Sequence, residues 1–249
     1  MISPDWPHTG LVTCISTTIS DSKNRAINDY GFQQEDEAQR IIALANRKRL
    51  MSDIGASRIQ WMNQVHGNIV FKAKKTDEAG LPTADACWTN QPGVALSILT
   101  ADCLPVVIVS MKGDWLGVAH AGWRGLANGV LGELIDRADV DPGQLDCWIG
   151  PGISQSRYPV GEEVWSVFDD LHSRRVDNKS ERLQNKRFLN LPLIAASQLL
   201  DSGVHQVYQS GICTYDDSRF FSVRRNNDSS RTLVDGRLAT AALLKRRTA

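Results

Sequence analysis

Three short corners of this sequence hold residues that could do chemistry together. They are Asn63-Gln64-Val65-His66-Gly67, Thr100-Ala101-Asp102-Cys103-Leu104-Pro105 and His120-Ala121-Gly122-Trp123-Arg124-Gly125. One cysteine and two histidines at strand edges would make a three-ligand metal centre with a fourth position open. The residues alone do not require it. No local spacing rule ties His66, Cys103 and His120 to one site, and a lone cysteine after a strand is more often a small core residue. The same residues admit a thiol hydrolase, with Cys103 as nucleophile and His120 as its base.

Other polar groups stand close by in sequence. Asp102 is suited to act as a base, to orient a histidine, or to cap a turn, which is the commoner fate of such a residue. Arg124 follows His120 by one helical turn at the start of a predicted helix. Free N–H groups and a partial positive charge there suit a phosphate or carboxylate, although an ordinary surface role or an ion pair fits as well. Arg224 and Arg225 follow Phe220-Phe221-Ser222-Val223; if that run is a strand, they point to opposite faces. Cys14, Cys87, Cys147 and Cys213 read as buried thiols, and His8, His172 and His205 as structural or exposed.

The elements around these corners follow from the apolar pattern. Val94 to Leu99, Val106 to Val109 and Trp115 to Ala119 are short runs rich in Val, Ile and Leu, the pattern of buried strands. Leu11 to Ser16, Ile59 to Met62, Ile69 to Phe71, Asp85 to Thr89, Cys147 to Ile149, Val204 to Tyr208 and Phe220 to Val223 read as further strands. Asp36 to Met51 reads as an amphipathic helix with Ala38, Ile41, Ile42, Ala45 and Leu50 on one face, stopped by Gly55. Helices are also expected over Gly122 to Ala138, Glu162 to Leu171, Pro192 to Leu200 and Leu238 to Arg246. The last is favoured by basic residues at its C-terminal end. Asp21 to Tyr30 reads as a loop, and His172 to Arg187 as an exposed insertion. With no repeat and no linker, one α+β domain over residues 1–249 is the simplest organisation.

Composition narrows the class. The 249 residues are 42% hydrophobic and 22% charged, with 28 basic side chains against 28 acidic ones. Zero net charge gives no global signal for nucleic acid or an anionic membrane. The five cysteines include no CxxC pair, which fits reduced thiols in a cytoplasmic protein better than a disulfide scaffold. No stretch approaches the roughly 20 apolar residues needed to span a bilayer, and the N-terminus lacks signal-peptide features. No obligate protein partner is evident.

Taken together, the corners resemble the YfiH family of laccase-domain or polyphenol oxidase-like proteins. Besides the three motifs above, Ile149-Gly150-Pro151-Gly152-Ile153, Cys213-Thr214-Tyr215 and Phe220-Phe221-Ser222-Val223-Arg224-Arg225 occur in the family's order, and the resemblance runs from about Leu11 to the end. It implies a four-layer αββα sandwich and a zinc ion, with copper as a substitute, held by His66, Cys103 and His120. It implies phosphorolysis of adenosine, inosine and methylthioadenosine to free base and ribose 1-phosphate, and deamination of adenosine, so a small nucleoside and phosphate are the expected partners. Asn63, Gln64, Arg124 and Arg224 are the expected substrate-binding residues, with Asp102 and Arg124 as catalytic groups.

Alternatives remain open on the resemblance itself. Some bacterial members are assigned to peptidoglycan-precursor editing, removing L-Ser from UDP-MurNAc-L-Ser. A metal-stabilised binding module is the non-enzymatic reading. Oxidase activity is poorly supported, because one candidate site with no Met ligand does not suggest redox copper.

The sequence departs from the family at two places. Where an Arg and a Gly pair are usual after the first strand, it reads Thr17-Thr18-Ile19-Ser20-Asp21-Ser22. Near the end, Asn226 replaces the usual Asp. The Thr-Gly-Arg-Met closing motif is not seen, and Val234-Asp235-Gly236-Arg237 stands nearby. Loss of an Arg at Ile19 predicts weakened anion binding unless Arg25, Arg224 or Arg225 compensates.

Overall fold

The computed structural model describes residues 1–20, 29–31, 37–76, 80–169, 182–183, 185–228 and 235–246. Two sheets carry the architecture. A four-stranded sheet has the order β1 (Val12–Ser16), β13 (Leu238–Leu244), β5 (Val94–Thr100), β2 (Arg58–Gln60). A six-stranded sheet has the order β12 (Gln206–Gln209), β8 (Leu145–Ile149), β6 (Leu104–Ser110), β7 (Leu116–Ala121), β4 (Ala86–Thr89), β3 (Val70–Lys72). A small three-stranded sheet is built from β9 (Pro159–Val160), β10 (Arg182–Leu183) and β11 (Lys186–Phe188).

The near-continuous apolar runs are explained by burial on both faces. Along β6, Val107 and Val109 point between the two large sheets, where they meet Leu96 and Ile98 of β5 and Leu244 of β13. Leu104, Val106 and Ile108 point the other way, onto the helices that follow β7 and precede β12. These helices are α2 (Trp123–Ala127), α3 (Val130–Ile135) and α5 (Leu191–Asp201), after the short α4 (Glu162–Trp165). On the outer face of the four-stranded sheet, Leu50 and Ile54 of α1 (Glu37–Ile54) cover Ala95, Ala239, Ala241 and Leu243. The layers therefore run helix, sheet, sheet, helix, the αββα sandwich expected. Each fully buried aliphatic side chain in these layers contributes roughly 1.5–3 kcal/mol.

Several expected elements differ. Leu238 to Arg246 is not a helix: its first seven residues form β13, hydrogen-bonded between β1 and β5 and buried at every position. A Leu/Ala-rich run has high helix propensity, but a central strand position between two ladders overrides it. Phe220 to Val223 is not a strand. Phe220 and Phe221 are consecutive and both buried, and a helix, α6 (Val223–Asp228), begins at once. Arg224 and Arg225 therefore do not lie on opposite faces of a strand.

Gly122 to Ala138 is two helices, broken where Gly129 takes φ +77°, a left-handed conformation open to glycine. Glu162 to Leu171 is helical only over Glu162–Trp165, with a 3-10 turn over Ser166–Phe168. In α1 the inward face is Ala43, Asn46, Arg47, Leu50 and Ile54, whereas Ile41 and Ile42 are exposed. Asn46 and Arg47 face inward because their side chains donate to backbone carbonyls of Asp29 and Tyr30. Most of the Asp21–Tyr30 loop and of the His172–Arg187 insertion, His172 included, lies outside the described residues.

Candidate metal centre

The three corners meet where the chain passes from one large sheet to the other. β5 belongs to one sheet and β6 to the other, so Ala101 to Cys103 is the crossing between them. Its tightness shows in Asp102, which takes φ +87°. The Asp102 side chain fixes this turn: its carboxylate accepts from Thr214 Oγ1 at 2.7 Å and from the Arg224 backbone N–H at 2.8 Å. Asp102 thus spends its carboxylate in orienting the turn that presents Cys103. His120 lies at the end of β7, paired with Pro105 of β6, within three residues of Cys103 along the neighbouring strand. His66 sits in the loop between β2 and β3 with φ +61°.

The donor atoms of His66, Cys103 and His120 lie within 4.8 Å of one another, with His66 exposed, Cys103 half-buried and His120 buried. The two imidazoles meet edge to face, their centroids 4.7 Å apart. Gly122 makes the convergence possible. A Cβ there would lie 2.8 Å from Cys103 Sγ and 3.3 Å from His66 Cδ2, so the early glycine of the 120–125 motif allows a close backbone approach.

A residue that sequence reasoning passed over holds the corners together. Asp85, fully buried at the start of β4, places Oδ1 2.8 Å from His120 Nδ1. The same carboxylate accepts backbone N–H groups from Val65 at 3.1 Å, His66 at 2.9 Å and Gly67 at 2.7 Å. Burial disfavours its charge, but the His120 hydrogen bond and these N–H groups outweigh that and keep its pKa below the ordinary value. An ionised Asp85 accepts from His120 Nδ1–H and so leaves Nε2 as the histidine's donor to a metal.

Electrostatics inside the cluster are self-consistent. Burial opposes ionisation of Cys103, yet His120 and His66 beside it bring its thiol down to about 6. Burial likewise opposes protonation of His120, and the Cys103 thiolate and Asp85 raise its pKa. Without a metal, the site favours a thiolate beside an imidazolium. A metal ion would displace the imidazolium proton and take two nitrogens and one sulfur as its donors, a set that suits zinc.

The cluster opens into a cavity of about 370 Å³. Asn63, Gln64, His66, Cys103 and His120 all line it, together with Gly31 and Asp235 to Arg237. Gln64 faces it with a side chain already engaged: its amide exchanges two 2.8 Å hydrogen bonds with the backbone of Leu99, fastening the His66 loop to β5. Asn63 donates to Thr83 Oγ1 at 3.2 Å. Arg124 and Arg224 are not among the cavity-lining residues. Arg124 lies over the Trp123 ring at 4.5 Å, and Arg224 over the Tyr158 ring at 5.2 Å while donating to Pro159 O at 3.1 Å.

Tyr158 carries the ring contact with Arg224. Burial raises its pKa to about 12, the Cys103 and Asp102 charges act in the same direction, and Arg224 and Arg124 oppose them. Arg225 is committed to the loop before α6, donating to the carbonyls of Thr214, Tyr215 and Phe220. Ile19 turns instead into an apolar cluster with Phe220, Phe221 and Leu238. Arg25 lies outside the described residues. Cys14, Cys87 and Cys147 are buried, and burial pushes their thiols up; Cys213 is not buried but only half-covered, in the loop where its Sγ accepts the Ser154 N–H at 3.4 Å. His8 and His205 both bond the buried Asp146, at 2.7 and 2.9 Å, away from the centre.

The sequence profile of the multi-copper polyphenol oxidoreductase laccase family matches residues 12–245. The chain belongs to that family. Within this laccase-like, YfiH-type family it is 36% identical over 249 residues to the Pseudomonas aeruginosa protein named purine nucleoside phosphorylase PA4543, covering 98% of each chain. It is 32% identical over 246 residues to purine nucleoside phosphorylase YfiH of Escherichia coli, covering 93% of this chain and 96% of that one. The crystal structure of Neisseria meningitidis protein NMB0706 superposes with a TM-score of 0.87 at 29% identity, covering 98% of this chain and 99% of the other. A laccase-like family is metal-associated, and the described residues of this member contain one group of three side chains that could hold a metal ion, His66, Cys103 and His120.

Proposed function

We propose that the protein is a zinc-dependent purine nucleoside phosphorylase that also deaminates adenosine. The observation that carries this reading is the convergence of His66, Cys103 and His120 on the wall of a cavity of about 370 Å³. That volume is within the range of small-molecule sites. The names of the similar Pseudomonas and Escherichia proteins support the nucleoside class. The donor set favours zinc over a multicopper arrangement. Two histidines and one cysteine supply three ligands, while His8 and His205 are engaged by Asp146.

His66 Nε2 or Nδ1, Cys103 Sγ and His120 Nε2 would hold the ion. When bound, zinc with one open position supplies a Lewis acid and lowers the pKa of a coordinated water to around 7. The protein's own groups do the positioning. Asp85 holds His120 in one tautomer and the His66 loop in one conformation. Asp102 fixes the turn bearing Cys103, and Gln64 fastens the His66 loop to β5. Tyr158 stays protonated at neutral pH. In phosphorolysis, phosphate attacks the anomeric carbon, the glycosidic bond breaks, and the purine leaves with a proton, giving ribose 1-phosphate.

The test joins metal analysis to product analysis. The purified protein is expected to carry about one zinc per chain. With phosphate it should convert adenosine to adenine and ribose 1-phosphate, and without phosphate to inosine. His66→Ala should abolish both. Metal-replete protein that releases none of these products overturns the reading, and turnover unaffected by His66→Ala rules out this centre.

A further inference from the structure

We infer that Arg237 forms the anion subsite of the cavity and receives inorganic phosphate through the Nε and Nη2 edge of its guanidinium. The inference deepens the phosphorylase reading and rests on it only for the identity of the anion.

Four observations carry it. First, Arg237 is the one permanently charged cation among the described residues lining the cavity that also holds His66, Cys103 and His120. Second, its backbone is fixed on both sides. Its N–H donates to the buried Asp29 carboxylate at 2.7 Å, and its carbonyl accepts from Tyr30 at 3.0 Å. The 29–31 segment is in turn gripped by Asn46 and Arg47 of α1. The base of the side chain is therefore rigid.

Third, the guanidinium is half engaged. Nη1 donates to Asp235 Oδ1 at 3.0 Å and to Gly236 O at 2.9 Å. Nε and Nη2 have no hydrogen-bond acceptor among the described residues. Those two groups are parallel donors, the geometry that takes two oxygens of one phosphate. Fourth, the residue before it must be small. A Cβ on Gly236 would fall 2.6 Å from the Phe221 ring, so the chain is pressed against Phe221 as it brings Arg237 to the cavity wall.

Asp235 holds the other end of the guanidinium, at Nη1. Its side chain is 70% exposed and that of Arg237 39% exposed, so the pair is well solvated and contributes little. Its negative charge opposes a phosphate held on the same guanidinium. The subsite also resolves the altered rim: Arg237 reaches the cavity from β13's leading end, where Ile19 does not.

The test is a titration of inorganic phosphate into the metal-loaded full-length protein, without nucleoside. Arg237→Ala should bind phosphate about 10- to 150-fold more weakly, the loss typical of a hydrogen bond to a charged group. Arg237→Lys should fall between that variant and the wild type, keeping the charge and losing the fork. Asp235→Asn should bind more tightly than wild type, a gain that a merely structural Arg237 would not produce. Equal affinity in wild type and Arg237→Ala overturns the inference, as does a wild type that binds no phosphate. So does loss of binding in Arg124→Ala with Arg237→Ala unaffected. A protein that binds phosphate through Arg237 yet forms no ribose 1-phosphate from adenosine would sink the phosphorylase reading and leave the subsite standing.

Discussion

Asp85 Oδ1 lies 2.8 Å from His120 Nδ1, and the same carboxylate accepts the three backbone N–H groups that surround His66. One buried side chain thereby sets both the tautomer of one candidate ligand and the loop conformation of another. Asp85→Asn keeps an acceptor and removes the charge. Its expected effect is a fall of about 10- to 100-fold in metal affinity, the usual consequence of losing such a partner. Competition against a chelator measures it, and an unchanged affinity would show that Asp85 does not tune the centre. Asp85→Ala should also destabilise the fold, since it removes the carboxylate that three part-buried N–H groups share, and a hydrogen bond to a charged group contributes about 1.5–3 kcal/mol.

The glycine beside the cluster makes a second, purely steric prediction. At Gly122 a methyl group would start 2.8 Å from Cys103 Sγ, closer than such atoms approach. The φ of −79° there is open to any residue, so backbone strain is not involved. Gly122→Ala should therefore fold and yet bind zinc more weakly, with Cys103 displaced. Full zinc occupancy of the variant at sub-stoichiometric chelator would contradict the packing argument.

Cys103 offers a reading of the site that does not depend on turnover. Its thiol is lowered to about 6 against an ordinary value of 9.0. A lowered pKa means the thiolate is present above about 6 and is lost as pH falls through that value. In metal-stripped protein, alkylation of Cys103 should rise to a plateau with a midpoint near pH 6. Zinc-loaded protein should resist alkylation throughout neutral pH. A thiol hydrolase predicts the opposite pattern, with reactivity in the protein as purified and no change on chelation.

Much of the site was legible because its residues stand at turns between strands whose double-faced burial writes a continuous apolar run, as in Leu104–Ser110. What escaped was set by contacts distant in sequence. Asp85 looks like any acidic residue before a short strand; only the fold brings its carboxylate to both His120 and the His66 loop. Arg237 sits after Asp235-Gly236 in a stretch without periodicity, and its place in the cavity depends on Asp29, far away in the chain. Leu238–Leu244 was unreadable for a different reason. Its Leu/Ala composition favours a helix locally, and the strand exists because Ala239, Ala241 and Leu243 fill the narrow space beneath α1. The arginines after Phe221 took helical rather than strand positions because Asp102 captures the Arg224 N–H and starts α6 there.

The position where the family's arginine is missing yields the last prediction. Ile19 packs with Phe220, Phe221 and Leu238, and its N–H donates to Arg219 O at 2.8 Å. It is only partly buried, so an arginine placed there could extend its charge to water along an apolar stem. It would not point into the cavity that holds Arg237. Ile19→Arg is therefore expected to lose apolar packing and to gain no phosphate affinity. Loss of part of a buried aliphatic side chain costs on the order of 1–2 kcal/mol. For a chain of this size that lowers Tm by roughly 2–8 °C. Thermal denaturation read beside the phosphate titration distinguishes the outcomes. A lower Tm with unchanged phosphate binding fits the packing seen here. Tighter phosphate binding in Ile19→Arg would place position 19 at the anion site, and would take from Arg237 the role its unengaged fork now assigns it.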